Sequence, residues 1–401
     1  MKRYISSIII VAVVVFSIGT FYIYSAVSAS PFPHLKIVGE SGNEKEIKSL
    51  IITGDYQLGQ DHDNFELSLK STVYNSERSF LDKLDNETNK IKQLRKQYRN
   101  FMRGKMGLDS FYEDQDILIY ADTNSSWNGM DGNTKLEISM LDKKDKKKTS
   151  FEIPLSNQFR YAFVQDVQRV GKQLKVITEN MRKQNINNEN ENNELHVYTI
   201  NYSNKKLVND EVIKSYNIEN VNTYSQFQKI PVIDETAPSK YVLFNNSLIK
   251  STDQGEEEVV KSELIAYNTE TSEKEIIKLP KKINIDQISS FNGDIIYIVS
   301  RNTSGLKVIS YNFESQKVIS EIKIQIQNTE NMDIEDIVYK IKNEKLFIIT
   351  SNKGNKKNAN VLVYDIDTGE SLFKGKIVEN DQKDNETKKK SSIWLYDIDF
   401  N

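Results

Sequence analysis

Val361-Leu-Val-Tyr-Asp-Ile-Asp-Thr-Gly-Glu370 is the stretch whose reading decides the fold. Four apolar, β-prone residues end on an aromatic, and Asp365-Ile-Asp-Thr-Gly369 then supplies residues that close a β-hairpin. A second strand, Leu372-Phe-Lys-Gly-Lys-Ile377, follows at once. The same order occurs four more times upstream, in Leu136-Glu-Ile-Ser-Met140, Leu195-His-Val-Tyr198, Leu264-Ile-Ala-Tyr267 and Leu306-Lys-Val-Ile-Ser-Tyr311. The anchors Met140, Tyr198, Tyr267, Tyr311 and Tyr364 lie 58, 69, 44 and 53 residues apart.

Ahead of each anchored strand stands a more continuously apolar run, at residues 116–120, 174–177, 241–244, 295–299 and 346–349. Such runs suit a strand covered on both faces. In the later units a further strand precedes it, at 286–290 and 336–339. Four antiparallel strands recurring at this interval are the pattern of β-propeller blades. Residues 47–58, 65–74 and 393–398 are β-prone segments at the two ends of the chain. Pairing them would build one composite blade and remove open sheet edges. The expected fold is therefore all-β: a propeller of six four-stranded blades, or seven if residues 214–260 hold another hairpin. An open β-sandwich with insertions is the competing architecture.

The unit at 361–370 resembles the third strand and turn of WD40-like and quinoprotein-like repeats, and the pattern covers about residues 111–378. No Trp-Asp pair closes a strand and no Gly-His opens a unit, so a true WD40 assignment fails. With Trp127 and Trp394 the only tryptophans, the docking motif of quinoprotein blades is absent too. The resemblance implies an architecture and leaves function open.

Lys2 and Arg3 precede an uncharged run from residue 4 to residue 24. A helix of that length reaches about 30 Å, the thickness of a bilayer core. Residues 1–30 are expected to be a transmembrane anchor, with the cations inside the cell and residues 31–401 outside it. Val27-Ser28-Ala29 leaves a cleaved signal peptide as the alternative, which would make the chain secreted. This anchor and a Lys-, Asn- and Ile-rich composition are similar to membrane-anchored proteins of Bacillus-type, Gram-positive bacteria, a likeness that implies no activity.

Residues 85–106 break the β pattern. Leu84, Ile91, Leu94, Tyr98 and Phe101 recur at helical spacing. Between residues 90 and 105 the segment carries Lys90, Lys92, Arg95, Lys96, Arg99, Arg103 and Lys105 and no acid. One inserted amphipathic helix is expected, with Lys92, Arg95, Lys96 and Arg99 as candidate contacts to anionic lipid or anionic wall polymer. A helix that merely packs by its apolar stripe is the plainer reading. Trp127, in the loop at 122–133, is a candidate binding aromatic.

Several chemistries are excluded or left without a motif. The formal charge of −3 gives no bulk attraction to nucleic acid, and the absence of cysteine removes thiol nucleophiles, disulfides and thiolate metal sites. His34, His62 and His196 are the only histidines. Asp61-His-Asp-Asn64 with Glu66 lacks the glycine turn of a calcium loop, so no metal and no cofactor is expected. Phosphate-binding, hydrolase and zinc-protease motifs are missing. The chain reads as a membrane-anchored, extracytoplasmic binding or scaffold propeller that could also engage a protein partner. A hydrolytic, carbohydrate-active propeller working through paired carboxylates is the alternative.

Overall fold

The computed structural model describes residues 5–27, 32–83, 87–124, 134–182, 193–216, 222–252, 256–281, 283–302, 305–326, 337–351, 359–380 and 391–401. After α1 (Ile5–Val27) come β1 (Leu35–Gly42), β2 (Leu50–Leu58), β3 (Asp61–Ser68) and β4 (Thr72–Tyr74). Two short helices follow, α2 (Phe80–Lys83) and α3 (Asn89–Gln97). Next are β5 (Phe111–Glu113), β6 (Ile117–Asn124), β7 (Lys135–Asp142) and β8 (Lys148–Pro154). Then come β9 (Phe159–Val170), β10 (Gln173–Arg182), β11 (Asn193–Asn201) and β12 (Lys206–Ser215). The fourth group is β13 (Thr223–Lys229), β14 (Tyr241–Ser251), β15 (Glu257–Asn268) and β16 (Lys274–Ile277). The fifth is β17 (Ile288–Asn292), β18 (Ile295–Asn302), β19 (Gly305–Asn312) and β20 (Lys317–Gln325). Last are β21 (Ile337–Lys342), β22 (Lys345–Thr350), β23 (Ala359–Asp365), β24 (Ser371–Glu379) and β25 (Ser391–Phe400).

Five of these groups are consecutive antiparallel sheets, and the sixth joins β25 to β2, β3 and β4. Six blades result. All five anchors fall on third strands: Met140 on β7, Tyr198 on β11, Tyr267 on β15, Tyr311 on β19 and Tyr364 on β23. Each second strand has a largely buried stretch, as its apolar run requires. The turn after Tyr364 closes because Asp365 accepts hydrogen bonds from the Asp367 and Thr368 amides, while Gly369 takes φ +74°.

No seventh blade occurs among the described residues. The 69-residue interval between Tyr198 and Tyr267 is filled instead by a crossing segment, residues 230–240, and by the long β14–β15 hairpin. The crossing segment leaves β13, and its Val232 bridges Phe291 of β17. Its Thr236 carbonyl accepts from the Glu113 amide of β5 at 2.7 Å, and the Ser239 amide donates to Gln168 of β9 at 2.9 Å. It therefore touches the first strands of three blades besides its own and spans the axis of the ring.

The chain closes twice. β25 pairs with β2, as the sequence predicts, and β1 adds a fifth strand to the outside of β24, which it does not predict. Buried apolar clusters join neighbouring blades at five of the six junctions. At the sixth, between the first and second blades, α3 and the turns after it fill the gap. Ile91, Leu94, Phe101 and Met102 pack there against Phe111, Leu118, Tyr120 and Leu141.

The expected membrane span is supported as a helix and no further. Side chains of α1 are described over residues 9–20, with Ile9, Val13 and Phe16 exposed. Among the described residues no helix is long and apolar enough to cross a membrane.

Candidate functional site

The basic segment is an anchored wedge rather than one long helix. Thr88 caps α3 by accepting from the Ile91 amide at 3.5 Å. The helix ends after nine residues because Tyr98 leaves the helical basin, at φ −126° and ψ 46°. The Phe101 and Met102 amides then both bond to the Tyr98 carbonyl, and that turn drives their side chains into the core. This corrects the expected helix over 85–106; residues 84–86, at its expected start, lie outside the described residues.

Three of the seven cations are paired with acids. Acids remote in sequence, or adjacent but outside the counted window, come back to them. Lys90 meets Glu113 at 2.7 Å, Lys92 meets Glu66 at 3.9 Å, and Arg95 is ion-paired to Glu87. Lys105 is buried, 5.0 Å from the Phe101 ring centre and 5.2 Å from that of Tyr120. Burial, with the nearby charge of Lys148, pushes its pKa down. Lys96, Arg99 and Arg103 have no acidic partner among the described residues.

Those three open onto one recess of about 500 Å³, which Lys92 and Arg95 also line, with Met102 and Gly104 completing it. The four candidate residues Lys92, Arg95, Lys96 and Arg99 are thus brought together, and Arg103 joins them. Among the described residues no carboxylate lines the recess. Like charges held this close repel one another, and an anion entering the recess relieves that repulsion. Trp127 lies outside the described residues. Asp61, Asp63 and Glu66 lie on β3, where Asp63 accepts from the Ser76 amide at 3.0 Å. Among the described residues no group of His, Asp and Glu is arranged to hold a metal ion.

A second concentration of charge sits at the ring axis, and its members are too far apart in sequence to be recognised there. Lys229 at the end of β13 donates to Asp166 at 2.9 Å, to Asp109 at 2.6 Å and to the Gln165 carbonyl at 2.9 Å. Lys143 and Lys90 both reach Glu113, at 2.8 and 2.7 Å. Burial alone would raise the Glu113 pKa, but its bonds to Lys143 and Lys90 outweigh that and hold it below the usual range. Glu235 on the crossing segment and Asp397 on β25 go the other way, pushed up chiefly by burial. Glu113, Asp109 and Asp166 are thus ion-paired to lysines, while Glu235 and Asp397 have no ion pair among the described residues.

No family model matches the sequence and no curated protein matches it, so neither comparison supports the likeness to Bacillus-type anchored proteins. Among solved structures, the β-propeller domain of the Trilobed protease from Pyrococcus furiosus is 10% identical, with 87% of this chain and 86% of that one covered and a TM-score of 0.30. The WD40 domain of SCAP from fission yeast is 8% identical, over 88% and 76%, at 0.27. Polysaccharide lyase Uly1 is 10% identical, over 68% of this chain, at 0.34. This chain spans 57% of the length of that lyase. Likenesses this distant transfer no substrate or partner, and the propeller stands on its own six sheets.

Proposed function

We propose that the chain is a propeller binding module, tethered to a membrane by residues 4–24 with its blades outside the cell, and that its wedge recess holds an anionic group of a surface polymer or lipid head group. The observation that carries this reading is the recess itself, where Lys96, Arg99 and Arg103 converge without an acidic partner among the described residues. A charge-assisted contact to each is stronger than a neutral one and weakens with salt. The hydrolytic alternative requires two carboxyls free to face a substrate. Glu113, Asp109 and Asp166 are instead ion-paired to lysines, which leaves Glu235 and Asp397 as the carboxyls that this alternative would have to use.

The test is titration of the purified full chain with inorganic tripolyphosphate at low and high salt. Binding should weaken steeply as salt rises. The triple variant Lys96→Gln, Arg99→Gln, Arg103→Gln should lose at least tenfold in affinity at low salt. Unchanged affinity in that variant would refute the recess as the site.

A further inference from the structure

We infer that the cationic recess is one end of a longer groove that takes an anionic polysaccharide, with a sugar ring resting at Tyr396 between Asn64 and Asn75. The inference rests on the reading of the recess as an anion site and extends it past Lys92. A second recess of about 350 Å³ adjoins the first, and Lys92 lines both. They are joined again through Glu87, which lines the second and is ion-paired to Arg95 of the first. Both volumes fall in the range of small-ligand sites.

The two recesses differ in chemistry. The second is nearly balanced, because Glu66 faces Arg78 at 2.7 Å and Lys92 at 3.9 Å. Its wall carries Tyr396, 51% exposed although it lies on β25, with its hydroxyl donating to Asn64 at 3.3 Å. Thr53 and Asn75 line the same recess, and neither side chain has a hydrogen-bond partner among the described residues. An open aromatic face flanked by amides and a hydroxyl is suited to a pyranose, which offers C–H groups on one face and hydroxyls around its edge. The adjoining cations would then hold a carboxylate or phosphate on the next unit of the same chain.

Other anionic ligands fit less well. A lipid needs an apolar channel for its acyl chain, and the apolar lining residues Met102 and Phe65 are buried, which leaves Tyr396 in an otherwise polar exposed lining. Single-stranded nucleic acid uses successive stacking rings. Among the described lining residues Tyr396 is the one exposed ring.

The experiment measures binding of the full chain at low salt to oligogalacturonate, tripolyphosphate, a single-stranded oligonucleotide and phosphatidylglycerol vesicles. Tyr396→Ala should weaken oligogalacturonate about tenfold more than tripolyphosphate, the size of one lost aromatic contact. Asn75→Ala should act in the same direction. The triple variant of Lys96, Arg99 and Arg103 should weaken both ligands. Equal effects of Tyr396→Ala on both would overturn the groove and leave the anion site standing. An inert triple variant would overturn the anion site. Tighter binding of the oligonucleotide with the same Tyr396 dependence, or vesicle binding that oligogalacturonate cannot displace, would also overturn the polysaccharide assignment.

Discussion

Leu50 stands opposite Phe400 in antiparallel register, so the first strand of the first blade is hydrogen-bonded to the last strand of the chain. Leu395, Ile398 and Phe400 are buried in the same cluster as Leu50 and Ile52, which ties that ladder to the core of the last blade. A second latch, Leu35 against Glu379, adds β1 outside β24. The first latch covers the free edge of β2 and the second covers that of β24.

The first latch leaves no room at Gly54. A Cβ there would lie 2.5 Å from the Trp394 carbonyl oxygen, 2.7 Å from Phe65 and 2.9 Å from Leu395. Two of those contacts are with the body of the core, so side-chain rotation cannot relieve them all. Gly54→Val is expected to destabilise the fold by about 2–3 kcal/mol, the cost of overpacking. Deleting residues 391–401 should be far worse. A Gly54→Val protein with the wild-type melting temperature would show that the ladder yields easily.

Lys229 holds two carboxylates at the ring axis. Its side chain is 10% exposed and that of Asp166 is 5% exposed, so the pair is buried and removing one partner strands the other. Burial alone would push the Lys229 pKa down, but Asp166 and Asp109 outweigh it and hold the ammonium charged. Lys229→Met should cost about 3–5 kcal/mol in urea unfolding. A loss below about 1 kcal/mol would mean that the network rearranges around the gap.

The strand order of the blades was legible because each blade is a local unit, and its four strands follow one another in the chain. Met140, Tyr198, Tyr267, Tyr311 and Tyr364 mark that order through residue type alone. The β1 latch was not legible, since Leu35 and Glu379 meet only after five blades have been laid down. The crossing segment was missed for the same reason; Val232 and Thr236 have no periodicity, and their partners come from other blades. The candidate cations were legible as a charge run. The pairing of Lys92, and of neighbouring Lys90, was not, because Glu66 and Glu113 belong to the blades on either side of the wedge. Tyr396 and Asn64 reach one recess from opposite ends of the sequence, and no local pattern links them.

Membrane tethering predicts an asymmetric pattern of digestion. Protease added to intact protoplasts expressing the full chain should degrade the propeller, because Lys2 and Arg3 would keep the N-terminus inside. A propeller protected until the membrane is opened would refute the assignment to the outer side.

His196 is the group from which a pH dependence of stability follows. Its side chain is 3% exposed, with Nδ1 2.7 Å from Asp210 and Nε2 3.0 Å from Glu194. Both ring nitrogens face carboxylates, and only the imidazolium can donate from both. Burial works against the charge, yet the bonds to Asp210 and Glu194 together outweigh it, and the His196 pKa lies above its ordinary 6.5. The His196 contribution is therefore complete below about pH 6.5 and is lost as pH rises through the higher folded value. Glu194 has the opposite sign. Burial would raise it, but His196 and Arg182 hold it below its ordinary 4.5, so its contribution is complete above that value and fades as pH falls through the lower folded one. Stability from this cluster should be greatest between about pH 4.5 and 6.5 and decline on the alkaline side. His196→Gln should cost about 2 kcal/mol near pH 5.5, the scale of a hydrogen bond to a charged group, and should flatten the decline above pH 6.5. Melting temperatures of both proteins from pH 5 to 9 test this directly. Parallel curves would assign the alkaline decline to other groups and remove His196 from the account.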